Sequence, residues 1–330
     1  MERLVLVPMT NVPFHLESSL KMIEEVPGVK IIFSDAKNEE DWIESLKGVE
    51  VTFAKGSPLT RRIIDSSDKL RLIQTVSVGF NQIDVDAALR KGVMVCNVPE
   101  VMSETVAQHT WALILALSKE IAQGDRSVRS GAWSRLMGID LWGKVLGIVG
   151  LGRIGRRVAL KGKHAFDMKI LAYDPYVDTE TAQTYFTELV DLPTLMSKSD
   201  VVSIHCPLTR ETRGLIGEKE LSLMKETTLL INTARGGVVD EKALIHLLQS
   251  KKIRGAGLDV FEEEPVKPDN SLLKMNNVIL TPHIASSTVA TFNETGRRAC
   301  ENVARYLRGE PPKWQINLNS TPWIRSGMLL

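Results

Sequence analysis

Three glycines, Gly150, Gly152 and Gly155, stand at the spacing that lets a peptide backbone wrap a phosphate. They follow the apolar run Val145–Val149 and open an amphipathic stretch, so they read as a strand, a Gly-x-Gly-x-x-Gly turn and a helix start. Gly150 permits the tight turn, Gly152 leaves room for a pyrophosphate, and Gly155 lets helix and strand pack closely. The backbone N–H groups of Arg153 and Ile154 then lie at a helix N-terminus, where partial positive charge favours phosphate. The next strand ends at Asp174, about 20 residues past Gly155, where an acid accepts hydrogen bonds from the adenosine ribose hydroxyls. A carboxylate there repels a 2′-phosphate, so the predicted cofactor is NAD in preference to NADP.

Hydride transfer at a hydroxy or oxo acid also needs a proton relay and a fixed cation for the carboxylate. His283 follows the last apolar strand in Thr281-Pro-His-Ile-Ala-Ser-Ser-Thr288, and Glu264 is a carboxylate able to orient an imidazole and stabilise its protonated form. The other five histidines (His15, His109, His164, His205 and His246) read as ordinary satisfied polar side chains. Arg235 ends a strand in Asn232-Thr-Ala-Arg-Gly-Gly237, and its guanidinium could grip a carboxylate by two parallel hydrogen bonds. Spacing alone does not bring these three together.

The elements that must hold them alternate along the whole chain. Apolar runs at Leu4–Val7, Val29–Phe33, Val51–Phe53 and Leu72–Thr75 alternate with helical patterns near Leu16–Glu25, Glu39–Leu46 and Asp84–Lys91. A second series follows at Val145–Val149, Ile170–Tyr173, Val201–His205, Thr228–Asn232, Gly255–Leu258 and Val278–Leu280. Between them lie a long helical pattern, Val101–Leu117, and a polar segment read as irregular through Trp142. A last helical pattern covers Ser287–Leu307. The class is α/β, with parallel sheets covered on both faces. At 330 residues two domains are expected. A net charge of +1 gives no basic excess for nucleic acid or an anionic membrane surface. The start reads as a strand that Pro8 interrupts and not as a signal peptide, and Trp111–Leu117 is too short to span a bilayer. The 3 cysteines, Cys96, Cys206 and Cys300, have no disulfide or metal-ligand spacing, which points to a cytoplasmic protein without a metal.

Six stretches together resemble the D-isomer-specific 2-hydroxyacid dehydrogenase family, which includes glyoxylate/hydroxypyruvate reductases, D-lactate dehydrogenases and 3-phosphoglycerate dehydrogenases. They are Ser77-Val-Gly-Phe-Asn-Gln-Ile-Asp84, Gly147-Ile-Val-Gly-Leu-Gly-Arg-Ile-Gly155, His205-Cys-Pro-Leu-Thr209, Asn232-Thr-Ala-Arg-Gly-Gly237, Leu258-Asp-Val-Phe-Glu-Glu-Glu-Pro265 and Thr281-Pro-His-Ile-Ala285. The resemblance implies that Arg235 binds substrate, that His283 is the catalytic histidine, and that Glu264, which directly precedes Pro265, is its paired acid. It implies that Asp259 bonds the nicotinamide carboxamide, and that Thr105, Cys206, Pro207, Thr212, Thr233 and Ala234 line the cofactor. Backbone groups at Val78 and Gly79 would hold the substrate carboxylate, and Lys55 could contact a distal polar or anionic group.

The same resemblance implies two Rossmann-like doubly wound domains with a cleft between them. Residues 1–99 and 287–330 would form the substrate domain and 100–286 the NAD domain, with hinges near Pro99 and Ser286. Relatives dimerise through the segment matching Thr105–Trp142, so a homodimer is expected, and Leu136 and Met137 become candidates for reaching a partner's site. Gln108 stands where many relatives carry Glu. Formate enzymes of the family carry Gln where Glu264 stands, and phosphite enzymes carry Lys where Val78 stands, so both are disfavoured. A non-enzymatic NAD-sensing, corepressor-like protein is the rival from another class. The chain ends soon after the last helix, which favours a small 2-oxo acid such as glyoxylate or hydroxypyruvate over 3-phosphoglycerate or D-lactate.

Overall fold

The computed structural model describes residues 2–9, 16–54 and 58–316; His15 and Lys55 lie outside them. The chain divides into two compact units, residues 1–102 with 287–330, and residues 103–286.

The first unit runs β1 (Arg3–Pro8), α1 (Leu16–Glu24), β2 (Val29–Ser34), α2 (Glu39–Ser45), β3 (Val49–Ala54), α3 (Arg61–Ser66), β4 (Leu72–Thr75), α4 (Val85–Arg90) and β5 (Met94–Cys96). Its sheet has the order β2-β1-β3-β4-β5, all parallel. The second unit runs α5 (Ser103–Ser118), α6 (Ile121–Arg129), β6 (Val145–Val149), α7 (Arg153–Phe166), β7 (Lys169–Tyr173), α8 (Thr179–Gln183), β8 (Thr187–Leu189), α9 (Leu192–Lys198), β9 (Val201–Ile204), α10 (Glu218–Ser222), β10 (Leu229–Asn232), α11 (Glu241–Gln249), β11 (Gly255–Leu258) and β12 (Val278–Leu280). Its seven parallel strands have the order β12-β11-β10-β9-β6-β7-β8. The last helix, α12 (Val289–Leu307), returns to the first unit and packs on α1.

Both sheets are the parallel α/β type expected from strands that are apolar on both faces. β9, β10 and β11 are buried at every residue. Helices open where a short polar side chain meets the first free amides: Asn38, Thr60, Asp84, Asp240 and Thr288 each accept from the backbone N–H three residues on. α5 buries Val106, Trp111, Leu113, Ile114 and Leu117, and Trp111 stacks on Phe166 at 4.8 Å between ring centroids.

Three readings of the sequence change. β1 continues through Pro8, because a proline at a strand's end removes no ladder donor that the pairing needs. Two three-residue strands, β5 and β8, extend the sheets at their edges. The polar segment after α5 is not wholly irregular. Its residues 121–129 form α6, which buries none of its side chains and carries an i,i+4 ion pair between Asp125 and Arg129.

Candidate active site

In the second unit strand order reverses at β6, which is flanked by β9 and β7. Ligands of open α/β sheets bind beyond the carboxyl ends of strands at such a point, and the glycine turn lies there. Gly150 has φ +94°, and a Cβ on it would fall 2.6 Å from Cys206 N, so no side chain fits. A Cβ on Gly152 would meet nothing within 4 Å, which leaves open space beside the first turn of α7. That helix, unlike those above, has no side-chain cap, so its first amides are left without a capping side chain. Asp174 braces the turn from the end of β7: Leu151 N donates to Oδ2 at 2.8 Å and Tyr176 N to Oδ1 at 2.9 Å. Each carboxylate oxygen keeps a second lone pair for a ribose hydroxyl. Uncapped amides, an open cradle and a fixed acid fit a dinucleotide.

The residues expected to line the cofactor occupy this unit. Cys206 is buried against the turn, and burial pushes its thiol up to about 12. Thr212 donates its hydroxyl to the Pro207 carbonyl at 2.6 Å and so shapes the loop after β9. Thr233 is buried and its hydroxyl meets that of Thr110 on α5 at 2.9 Å. Gln108 donates to Glu104, which is also paired with Lys161, so the Gln simply extends a surface network.

His283 and Glu264 are brought together: the imidazole Nδ1 lies 2.7 Å from Glu264 Oε2. The other carboxylate oxygen accepts from Phe261 N at 3.0 Å. Burial alone would raise the Glu264 carboxyl, but the hydrogen bonds from His283 and Phe261 N–H outweigh it and hold it below the usual range. Arg235 is the third member. Burial pulls its guanidinium down from the ordinary value, the Glu264 charge opposes that pull, and the group stays charged. Its Nη1 donates to the Ala234 carbonyl at 2.6 Å.

Several supports were not visible in the sequence. Asn232 shapes the Arg235 turn, accepting from Ala234 N at 3.0 Å and donating to the Arg235 carbonyl at 3.0 Å. An Asn two residues before a turn is a recognisable signal for this. Gly236 has no such local signal. A Cβ on it would fall 1.9 Å from the carbonyl carbon and oxygen of Phe261, so only glycine lets the Arg235 loop meet the loop of Glu264. Gly236→Ala is therefore expected to lower stability by about 1–3 kcal/mol through overpacking, read by thermal melting, and to lower turnover with it. A variant that matches the parent in both would show that the backbones need not touch.

Asp259 has a carboxylate with no exposure at all. Thr281 Oγ1 donates to Oδ1 at 2.6 Å, Ile284 N to Oδ1 at 2.9 Å and Ala285 N to Oδ2 at 2.8 Å, while His283 N reaches the Asp259 carbonyl at 2.9 Å. Burial would raise this carboxyl too, and the bonds from His109, Thr281 and the two amides more than reverse it.

In the first unit, the carbonyls of Val78 and Gly79 accept from Asn97 Nδ2 at 2.9 Å and from Ser77 Oγ at 2.7 Å. No group of three metal-ligating side chains occurs among the described residues, and no described helix is long and apolar enough to cross a membrane.

Residues 111–285 match the family model for the D-isomer specific 2-hydroxyacid dehydrogenase NAD binding domain. The chain is 41% identical over 321 residues to the D-3-phosphoglycerate dehydrogenase of Methanocaldococcus jannaschii, covering 96% of this chain and 60% of that one. It thus spans less than two thirds of that relative's length. It is 38% identical to the glyoxylate reductase of Korarchaeum cryptofilum, with 94% of this chain and 92% of the relative covered. Among solved structures, the holo form of the Rhodotorula graminis D-mandelate dehydrogenase superposes with a TM-score of 0.87 at 28% identity, over 96% of this chain and 98% of that one. Motifs, fold and relatives agree: the chain belongs to the D-isomer-specific 2-hydroxyacid dehydrogenase family.

Proposed function

We propose that the protein interconverts a small 2-oxo acid and its D-2-hydroxy acid with NAD, glyoxylate or hydroxypyruvate being the preferred oxo acids. The observation that carries this reading is the 2.7 Å contact of His283 Nδ1 with Glu264, with the Arg235 charge beside it. When bound, NADH supplies the hydride that C2 receives. Because Nδ1–H is committed to Glu264, Nε2 is the nitrogen left to give a proton to the carbonyl oxygen, and the imidazole is half exposed. Glu264 stabilises the protonated ring before transfer and fixes its plane throughout. Arg235 grips the carboxylate and polarises the carbonyl. After transfer the neutral ring takes a proton back from solvent, and oxidation runs the same steps in reverse. The amides of Val78 and Gly79 are proposed as further carboxylate donors; the Asp259 carboxylate, fully enclosed and bonded to Thr281, Ile284 and Ala285, is not open to the carboxamide that the resemblance implied.

Glyoxylate is favoured by a relative that this chain matches over 92% of that relative's length. The 41% identity to a D-3-phosphoglycerate dehydrogenase supports 3-phosphoglycerate as the second reading. Assaying NADH oxidation against glyoxylate, hydroxypyruvate, pyruvate and phosphohydroxypyruvate decides between them. Highest kcat/KM on the phosphorylated acid would overturn the first reading, and no turnover with any would leave a sensor. In the same assay Asp174→Ala is expected to raise relative NADPH use by about tenfold or more, since it removes the carboxylate that repels a 2′-phosphate. Unchanged preference would place the discrimination elsewhere.

The second unit also presents Trp133, Met137 and Trp142 with 73, 85 and 76% of their surface exposed. Large apolar side chains gathered in one exposed segment favour a homodimer through this unit, with Leu136 and Met137 within the contact.

A further inference from the structure

We propose that His109 is a positioning residue for the reaction, holding the Asp259 clamp that carries His283. The inference rests on the assignment of His283 as the proton donor. His283 has φ +53°, a left-handed conformation that a residue with a side chain keeps only when its surroundings impose it. Three successive amides, of His283, Ile284 and Ala285, end on oxygens of Asp259, the first of them shared with the Thr281 carbonyl at 3.0 Å. Whatever orients Asp259 therefore orients the catalytic imidazole.

Two side chains complete the clamp. Thr281 gives its only hydroxyl proton to Asp259 Oδ1 at 2.6 Å, so towards His109 Nε2, 3.1 Å away, its oxygen accepts. His109 must then carry its proton on Nε2, which also lies 3.5 Å from Asp259 Oδ1. The imidazole thus fixes the Thr281 rotamer and places a donor's positive edge beside a fully enclosed carboxylate. It does so from α5, a helix buried along most of its length. The next residue, Thr110, reaches Thr233 at the start of the Arg235 loop. Adjacent residues of one rigid helix touch both loops that carry the chemistry.

The test compares His109→Leu, which cannot donate, with His109→Gln, whose side-chain amide can. In the Leu variant kcat is expected to fall by about 10²-fold, the effect of a small misplacement of a reacting group. KM for the oxo acid should stay within about threefold, because carboxylate binding is untouched. The Gln variant should recover most of the loss. Without cofactor or substrate, hydrogen exchange at the amides of residues 283–285 should quicken about tenfold or more in the Leu variant and not in the Gln variant, since the clamp opens locally. Thr281→Val, which removes the hydroxyl joining His109 to Asp259, should behave like the Leu variant and serves if the latter fails to fold. Wild-type turnover or unchanged exchange in the Leu and Val variants would overturn the proposal, as would a Gln variant no better than Leu. If the parent itself turns over no oxo acid, the functional reading fails, while the exchange comparison still decides whether His109 holds the clamp.

Discussion

His283→Asn is expected to lower turnover by about 10²–10⁴-fold, the contribution of a positioned general acid. Asn is the informative substitution because residue 283 sits at φ +53°, where Asn is tolerated and Ala is strained. An alanine variant would lose the proton donor and disturb the turn together. Asn keeps the turn and loses only the proton. Steady-state kinetics with the best oxo acid measures the effect, and NADH binding followed by fluorescence should be nearly unchanged. Turnover within tenfold of the parent would remove His283 from the chemistry.

The second large effect is expected at Arg235. Arg235→Lys keeps a cation but replaces a planar fork by a point charge on a flexible stem. Loss of a paired contact of this kind is worth about 2–5 kcal/mol, or about 30-fold to 4,000-fold in kcat/KM. Arg235→Gln should lose more, and both losses should show in KM as well as kcat, because the carboxylate is bound before and during transfer. A Lys variant with parental kcat/KM would rule out two-pronged recognition. Removing the charge has a further consequence. Arg235 is one of the groups that hold the Glu264 carboxyl low. A depressed carboxyl is ionised above its folded value and loses its partner interactions as pH falls through it. In Arg235→Gln, the acid limb of activity should therefore move to higher pH.

Much of this could be read from the chain, for identifiable reasons. The strands are mostly short β-branched runs, the central ones buried on both faces, so apolar runs located ten of them within about two residues of their ends. β5 and β8 are three-residue edge strands that the sequence reading missed, and in β8 Thr187 and Glu188 interrupt any apolar run. α6 buries no side chain and offers only Ile121, Ala122 and Val128 among polar residues and a glycine, so it reads as part of the polar segment. The glycines of the turn and Asp174 announced themselves because their residue types are tied to their chemistry, and the family resemblance singled out Glu264 and His283. The supports did not. His109 and Thr281 are 172 residues apart, and Gly236 is required by a backbone that passes it 25 positions later. Contacts of that span leave no local pattern, because they exist only once the strands between them have been stacked.

The return of α12 to the first unit has a consequence for how the protein is made. The hydrophobic cluster around Val5, Val51 and Leu72 takes in Ala299, Cys300, Val303, Ala304 and Leu307 from that helix. At least the first 307 residues must leave the ribosome before this cluster can close. Residues 103–286 are uninterrupted and emerge earlier, so synthesis favours their completion first. Until then the opening strands have that face covered only in part, by Leu20 and Ile23 of α1, and the remaining apolar surface leaves the nascent chain open to aggregation.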